Sequence, residues 1–231
     1  KWEPVRKKYM DRAFSLGYNC ASFILNATEY GVSQKRERVF FIGFKDNNDP
    51  FFEYHMNDFI ERQKNPAPTI RELLAPLGKA GTKNNPNTCT AKITFATRPI
   101  MRKSPYAGMY FNGQGRPMCI DGYSNTLPAS MGGNKTPFVD EEYLYGDAPE
   151  DWVVAYHKGL MDGSITPEFT EAPSRLRRIT IREAARIQTF PDNYIFCGNK
   201  GRIYTQIGNA VPCKLAEAVA KAVVTYINEQ H

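Results

Sequence analysis

The sequence predicts an α/β domain split in two by the insertion of a small, mostly β domain. Three observations predict it. Residues 1–45 and 176–231 carry regular apolar periodicities with clear helix stops. Residues 46–175 hold most of the proline, glycine and asparagine, with aromatic residues scattered among them. The length of 231 residues suits one large domain or two small ones, and a hydrophobic share of 42% is enough to build a core.

The elements follow in order. Val5 to Leu16 has apolar residues at helical spacing, and Gly17 stops it. Tyr18 to Leu25 is rich in β-forming residues. Val39 to Phe44 is a nearly continuous apolar run, the pattern of a strand buried on both faces. In the middle segment one helix is legible, opened by the capping box Thr69-Ile70-Arg71-Glu72 and stopped at Gly78. The rest of that segment reads as short strands and long loops. A second capping box, Thr180-Ile181-Arg182-Glu183, starts a helix through Gln188 that Phe190-Pro191 ends. Gly208-Asn209 reads as a turn, and the last helix opens at Pro212. Leu215, Val219, Ala222, Val223 and Tyr226 form its core stripe.

Charge and cysteine usage narrow the classes. Thirty basic residues against 24 acidic give a net charge of +6, which suits a polyanionic partner without demanding one. The basic groups Arg6-Lys7-Lys8, Lys35-Arg36-Arg38, Arg98-Arg102-Lys103 and Arg175-Arg177-Arg178 serve equally as solvated faces. The five cysteines are odd in number and lack C-x-x-C spacing, so neither a disulfide framework nor a zinc site is expected, and a reducing cytoplasm is. No apolar run approaches the length of a membrane span. The chain opens on Lys1 and not on methionine, so it reads as a segment.

Two stretches carry chemical information. In Gln34-Lys35-Arg36-Glu37-Arg38 the residues Gln34, Arg36 and Arg38 share one face of an extended segment at the entrance of the apolar strand. One amide and two guanidiniums there can hold a phosphate or a carbonyl oxygen. By spacing alone an ordinary charged edge, with Glu37 paired to a neighbour, explains the same pattern. The helix entrance after Gly208-Asn209 offers backbone N–H groups to a ligand, or is a plain turn.

Taken together these pieces resemble the later blocks of the cytosine-5 DNA methyltransferase family, in order and at matching separation. Gly31-Val32-Ser33-Gln34-Lys35-Arg36-Glu37-Arg38-Val39 is similar to the family's Q-x-R-x-R block. Arg182-Glu183 through Pro191-Asp192 resembles the helix that supports its target-recognition domain. Gln206 to Pro212 resembles the block that returns to the cofactor pocket, and Thr126-Leu127 the Thr-Leu pair of the recognition domain. The family's Gly-rich cofactor loop, its Pro-Cys loop and its Glu-Asn-Val block have no counterpart in this sequence. Pro212-Cys213 stands in the wrong context for the catalytic dipeptide, so Cys213 is read as a helix first-turn residue.

The resemblance implies the C-terminal part of a Rossmann-like methyltransferase fold, with residues 1–45 ending the catalytic domain. A target-recognition domain would occupy 46–175, and 176–231 would return to the catalytic domain. It implies a bacterial, cytoplasmic restriction–modification enzyme that acts on double-stranded DNA with S-adenosylmethionine. In that chemistry a cysteine thiolate adds to carbon 6 of a flipped cytosine, a glutamic acid meets ring nitrogen 3, and carbon 5 takes the methyl group. Arg38 would reach oxygen 2 of the base, and Gln34 and Arg36 would hold that arginine and the adjacent phosphate. Asn209, Ala210 and Val211 would form one wall of the cofactor pocket, and Thr126 and Leu127 would serve DNA recognition. Thiolate and glutamate would come from an N-terminal part of the same enzyme or from a complementary subunit, in which case this chain is the recognition subunit of a split methyltransferase. The chain alone is expected to be inactive.

Overall fold

The first turn of structure follows from Gly17, whose φ of +81° lies in the left-handed region that L side chains rarely adopt. It reverses the chain between helix α1 (Glu3–Ser15) and strand β1 (Tyr18–Asn26). The computed structural model describes residues 3–229. β1 pairs antiparallel with β2 (Glu37–Lys45) over its whole length, from Tyr18 opposite Lys45 to Asn26 opposite Glu37.

The two faces of this two-stranded sheet meet different environments. Ala21, Phe23, Leu25 and Ile42 enter a core completed by helix α2 (Phe52–Glu61) and helix α8 (Cys213–Glu229). On the opposite face Val39 and Phe41 stay 47% and 50% exposed. The apolar run is therefore not buried on both faces as expected. β2 has one strand neighbour, and the helix over its second face, α1, has no buried residue and touches it through Tyr9 on Phe41. Leu215, Val219, Ala222 and Tyr226 of α8 are buried, as their spacing predicts. Tyr226 stacks edge-on against Phe52 while its hydroxyl donates to Asp49.

The middle segment holds more helix than its composition predicts. α2 has ten residues and shares the first core with β1, β2 and α8. Helix α5 (Trp152–Asp162) has eleven, capped by Asp151 and closed by Gly163. The strands are short: β3 (Phe95–Ile100), β4 (Met109–Phe111) and β5 (Phe138–Asp140). This corrects the mostly β expectation. Proline and glycine restrict the strands, and side-chain bonds to loop carbonyls do the work of ladders. β3 pairs with β4, and β5 pairs with β6 (Leu176–Arg178), both antiparallel. Phe95, Tyr156 and Trp152 stack in a small aromatic core beneath these strands.

The second large core joins the middle segment to the return segment. It collects helix α3 (Ile70–Leu74), Met118, Ile120, Leu127, helix α4 (Glu141–Tyr145), helix α6 (Ile181–Ile187) and helix α7 (Lys200–Asn209). Helix α7 was not legible in the sequence. Gly208 and Asn209, expected to form a turn, are its last residues. Gly208 is required there by proximity, because a Cβ would lie 2.6 Å from the Pro128 carbonyl oxygen.

Both predicted capping boxes form, in contrasting surroundings. Thr69 and Glu72 lie at the surface, whereas Thr180 and Glu183 are fully buried. The Glu183 carboxylate accepts from Arg177 Nη1 and Nη2, both at 2.8 Å, from Thr180 N at 2.8 Å and from Asn85 Nδ2 at 2.9 Å. Glu183→Ala therefore takes one of two carboxylate partners from the largely buried Arg177, leaving Glu141, and orphans Thr180 N and Asn85 Nδ2, and should cost about 3 kcal/mol. Glu72→Ala removes only the exposed half of a surface capping box and should cost much less. Urea denaturation of both variants checks the contrast, and equal losses would refute it.

Candidate nucleic-acid interface

The site is organised by Gln34, which is fully buried. Its backbone neighbours zip onto a distant loop: Lys35 N donates to Ser124 O at 2.9 Å, and Ser124 N to Ser33 O at 3.0 Å. A primary amide placed in a core must find both donors and acceptors in protein. Gln34 Nε2 donates to Gln188 Oε1 at 3.1 Å, and Gln34 Oε1 accepts from Leu127 N at 3.0 Å. Gln188, the C-cap of α6, passes the chain on, with Nε2 donating to Ile207 O at 2.7 Å. Four stretches far apart in sequence thus meet at two side-chain amides.

Arg36 stands beside this pair, 3% exposed, with no carboxylate partner among the described residues. Its Nη2 donates to Gly208 O at 3.2 Å and Ala210 O at 3.0 Å. These carbonyls end α7, so a cation meets the negative pole of a helix dipole. Burial, and then the neighbouring charge of Arg38, bring the Arg36 pKa down to about 10, which leaves it charged at neutral pH. The Gln34 amide and the Arg36 Nη groups, expected to hold Arg38 and the adjacent phosphate, bond protein acceptors instead, while Arg36 Nε is buried with no partner among the described residues. A buried guanidinium takes the acceptors at hand, and for Nη2 these are the α7 carbonyls. Arg38 differs. It is half-buried, its Nη1 donates to the backbone carbonyl of Glu37, and it forms no ion pair with the Glu37 carboxylate. Burial lowers its pKa.

Thr126 and Leu127 divide the tasks between them. The Leu127 side chain is 1% exposed and belongs to the second core, where it cannot touch a ligand. Thr126 is exposed, and its hydroxyl donates to Lys35 O at 2.7 Å. Thr126 lies in a cleft of about 530 Å³ whose walls include Lys35, Gln114, Arg116, Asn125 and Lys135. No described carboxylate pairs with Lys35, Arg116 or Lys135. A cleft with three free cations and two amides can bind a polyanion and read polar edges. Arg116 and Lys135 were missed in the sequence because each stands alone, outside any basic run.

Between α7 and α8 the chain is extended. Ala210 O is occupied by Arg36 and by Gln188 Nε2, while Asn209 and Val211 are exposed. Cys213 follows, its N donating to Gln188 O at 3.1 Å. Burial pushes its thiol pKa up, which disfavours the thiolate. Gln188 carried no periodic signal, since only the arrival of α7 and of Gln34 gives its amide partners.

Because Gln34 and Gln188 share one bond, their removal should be non-additive. Each alanine variant should cost about 1–3 kcal/mol by orphaning buried polar groups, and the double variant should cost less than the sum. Chemical denaturation of the three variants measures this, and strict additivity would mean the two amides act independently.

Comparison with known proteins places this architecture. A family model described as C-5 cytosine-specific DNA methylase matches residues 3–225. The chain is 30% identical over 221 residues to the type II methyltransferase M.MthTI of Methanothermobacter thermautotrophicus, covering 95% of this chain and 60% of that protein. It is 57% identical over 213 residues to the type II methyltransferase M.PspPI of a Psychrobacter species, covering 89% and 45%. The chain therefore spans about half the length of these curated relatives. Among solved structures, the Dnmt2 methyltransferase of S. pombe shares the fold, with a TM-score of 0.59 at 12% identity, over 96% of this chain and 62% of that one. The Entamoeba histolytica methyltransferase EhMeth does likewise, at 0.57 and 13%, over 96% and 58%. With a family model matched over nearly its whole length, this chain belongs to the C-5 cytosine-specific DNA methylases.

Proposed function

We propose that this chain supplies sequence recognition and target-base support to a DNA (cytosine-5-)-methyltransferase of a restriction–modification system. One observation carries the reading. The cationic cleft beside Thr126 is tied, through Gln34 and Gln188, to the exposed segment 209–211. A duplex held in the cleft is thereby in fixed register with the wall assigned to the cofactor.

Each residue then has a task. Lys35, Arg116 and Lys135 neutralise phosphate, and Gln114, Asn125 and Thr126 offer hydrogen bonds to base edges in the major groove. Gln34 and Arg36 hold the strand entrance rigid, and Leu127 anchors the recognition loop from inside. Arg38, at the start of β2, keeps N–H groups free of acceptors among the described residues and donates to oxygen 2 of the flipped cytosine, where negative charge grows on thiolate addition. Preorganised donors of this kind are worth roughly 3–4 kcal/mol in a transition state.

The segment after α7 fits one edge of a pocket for S-adenosylmethionine. Its carbonyl at Ala210 is tied down, while Val211 presents an apolar surface and Asn209 an amide with no side-chain partner among the described residues. S-adenosylmethionine, when bound, supplies the transferred methyl group. The thiolate and the glutamic acid come from an N-terminal part, in the same polypeptide or a complementary subunit.

The chain alone should therefore leave labelled methyl incorporation into DNA at background, and supplying the N-terminal part should restore it. Activity of the isolated chain that Cys213→Ser abolishes would overturn this assignment. In the complete enzyme Arg38→Ala should lower the single-turnover rate roughly a hundredfold or more, with a much smaller loss of DNA affinity. Arg38→Lys should recover only part of the rate, because it keeps the charge but loses the planar fork. Equal losses in rate and affinity, or a near-normal rate, would rule this role out.

A further inference from the structure

The basic group Arg98-Arg102-Lys103 has no task in the cleft. Arg102 and Lys103 lie on the loop 101–108 that joins β3 to β4, both exposed and neither paired with a described carboxylate. This loop is built, not slack. His157 Nε2 bonds the Arg102 carbonyl at 2.9 Å, and the Tyr110 hydroxyl donates to the carbonyls of Ser104 and Pro105. Asn125 Nδ2 donates to the Tyr106 carbonyl at 3.0 Å. The Tyr106 hydroxyl donates to Asp151 Oδ2 at 2.9 Å. Asp151 is itself buried and fixed as the N-cap of α5 by Val153 N at 3.0 Å.

The carbonyls of Arg102, Ser104, Pro105 and Tyr106 are thus taken up by protein side chains, while two cationic side chains face water. An outer face rich in donors and short of acceptors selects an anion. The loop also borders the cleft, since Asn125 and Met109 both line it. A duplex carries one charge per roughly 1.7 Å of axis, so phosphates beyond those met by Lys35, Arg116 and Lys135 lie within reach of such a rim.

We propose that loop 101–108 is a second DNA-contacting wall, with Arg102 and Lys103 on phosphate and Tyr106 as the positioning residue that holds the loop in place. This rests on the reading of the cleft as a DNA site. Tyr106 touches no DNA. It acts by ordering the loop before binding, so that less freedom is lost on association.

The test measures binding of a mixed-sequence duplex to this chain by fluorescence anisotropy across a salt series. Arg102→Gln with Lys103→Gln should reduce the slope of log affinity against log salt by about two units, one per lost contact. Tyr106→Phe should lower affinity severalfold, and added to the Arg102 and Lys103 changes it should cause no further loss. An unchanged slope in the Arg102 and Lys103 variant, or a Tyr106→Phe loss that simply adds to theirs, overturns the proposal. Thermal unfolding checks the fold of Tyr106→Phe. If it does not fold, His157→Ala frees the other end of the loop and must show the same non-additivity. Lys35→Gln, Arg116→Gln and Lys135→Gln test the cleft separately. A slope change in these with none in the loop variant sinks the loop alone, and no change in either sinks both readings.

Discussion

A primary amide in a protein core has to satisfy its hydrogen-bonding groups from within the fold, and at Gln34 that demand draws the structure together. Gln34 cannot be buried unless Leu127 N and Gln188 Oε1 are in place. Gln188 in turn needs the end of α7 at Ile207 O. A slip of any one segment orphans polar atoms in the others, at about 1–3 kcal/mol each. Hydrophobic packing around the second core is tolerant of small shifts, whereas these bonds have narrow geometry. They therefore fix the register that packing leaves loose.

Arg36 adds an electrostatic constraint to the geometric one. A buried guanidinium without a carboxylate is normally expensive. Here the carbonyls at the α7 terminus supply the compensating potential, and Arg36 acts as a cationic C-cap delivered from a remote strand. Helix α7 must therefore end where it does. Gly208 permits this, since the Pro128 carbonyl leaves no room for a Cβ. One charge thus couples the strand entrance to the helix end, which in turn packs against the loop at Pro128.

The polar residues of the motifs sort into two groups by burial. Gln34, Arg36 and Gln188 are consumed by the fold, whereas Arg38, Thr126 and the cleft cations keep groups available to a ligand. The residues with available groups stand on backbone that the buried residues hold. That division holds the available donors in fixed positions, because buried hydrogen bonds have narrow geometry.

Short-range signals in the chain were enough to specify α1 and its Gly17 stop, both strands of the first sheet, both capping boxes and the core stripe of α8. The sequence also marked the blocks that identify the family. Tertiary structure alone decided which motif residues face inward. Gln34 and Arg38 have the same parity on one extended segment, yet one is sealed in the core and the other borders solvent, because Ser124 and Leu127 pack over only the first. Helices α5 and α7 and the turn-like Gly208-Asn209 escaped the sequence for a related reason. Their stability comes from partners distant along the chain, and no local pattern records what will pack against a residue.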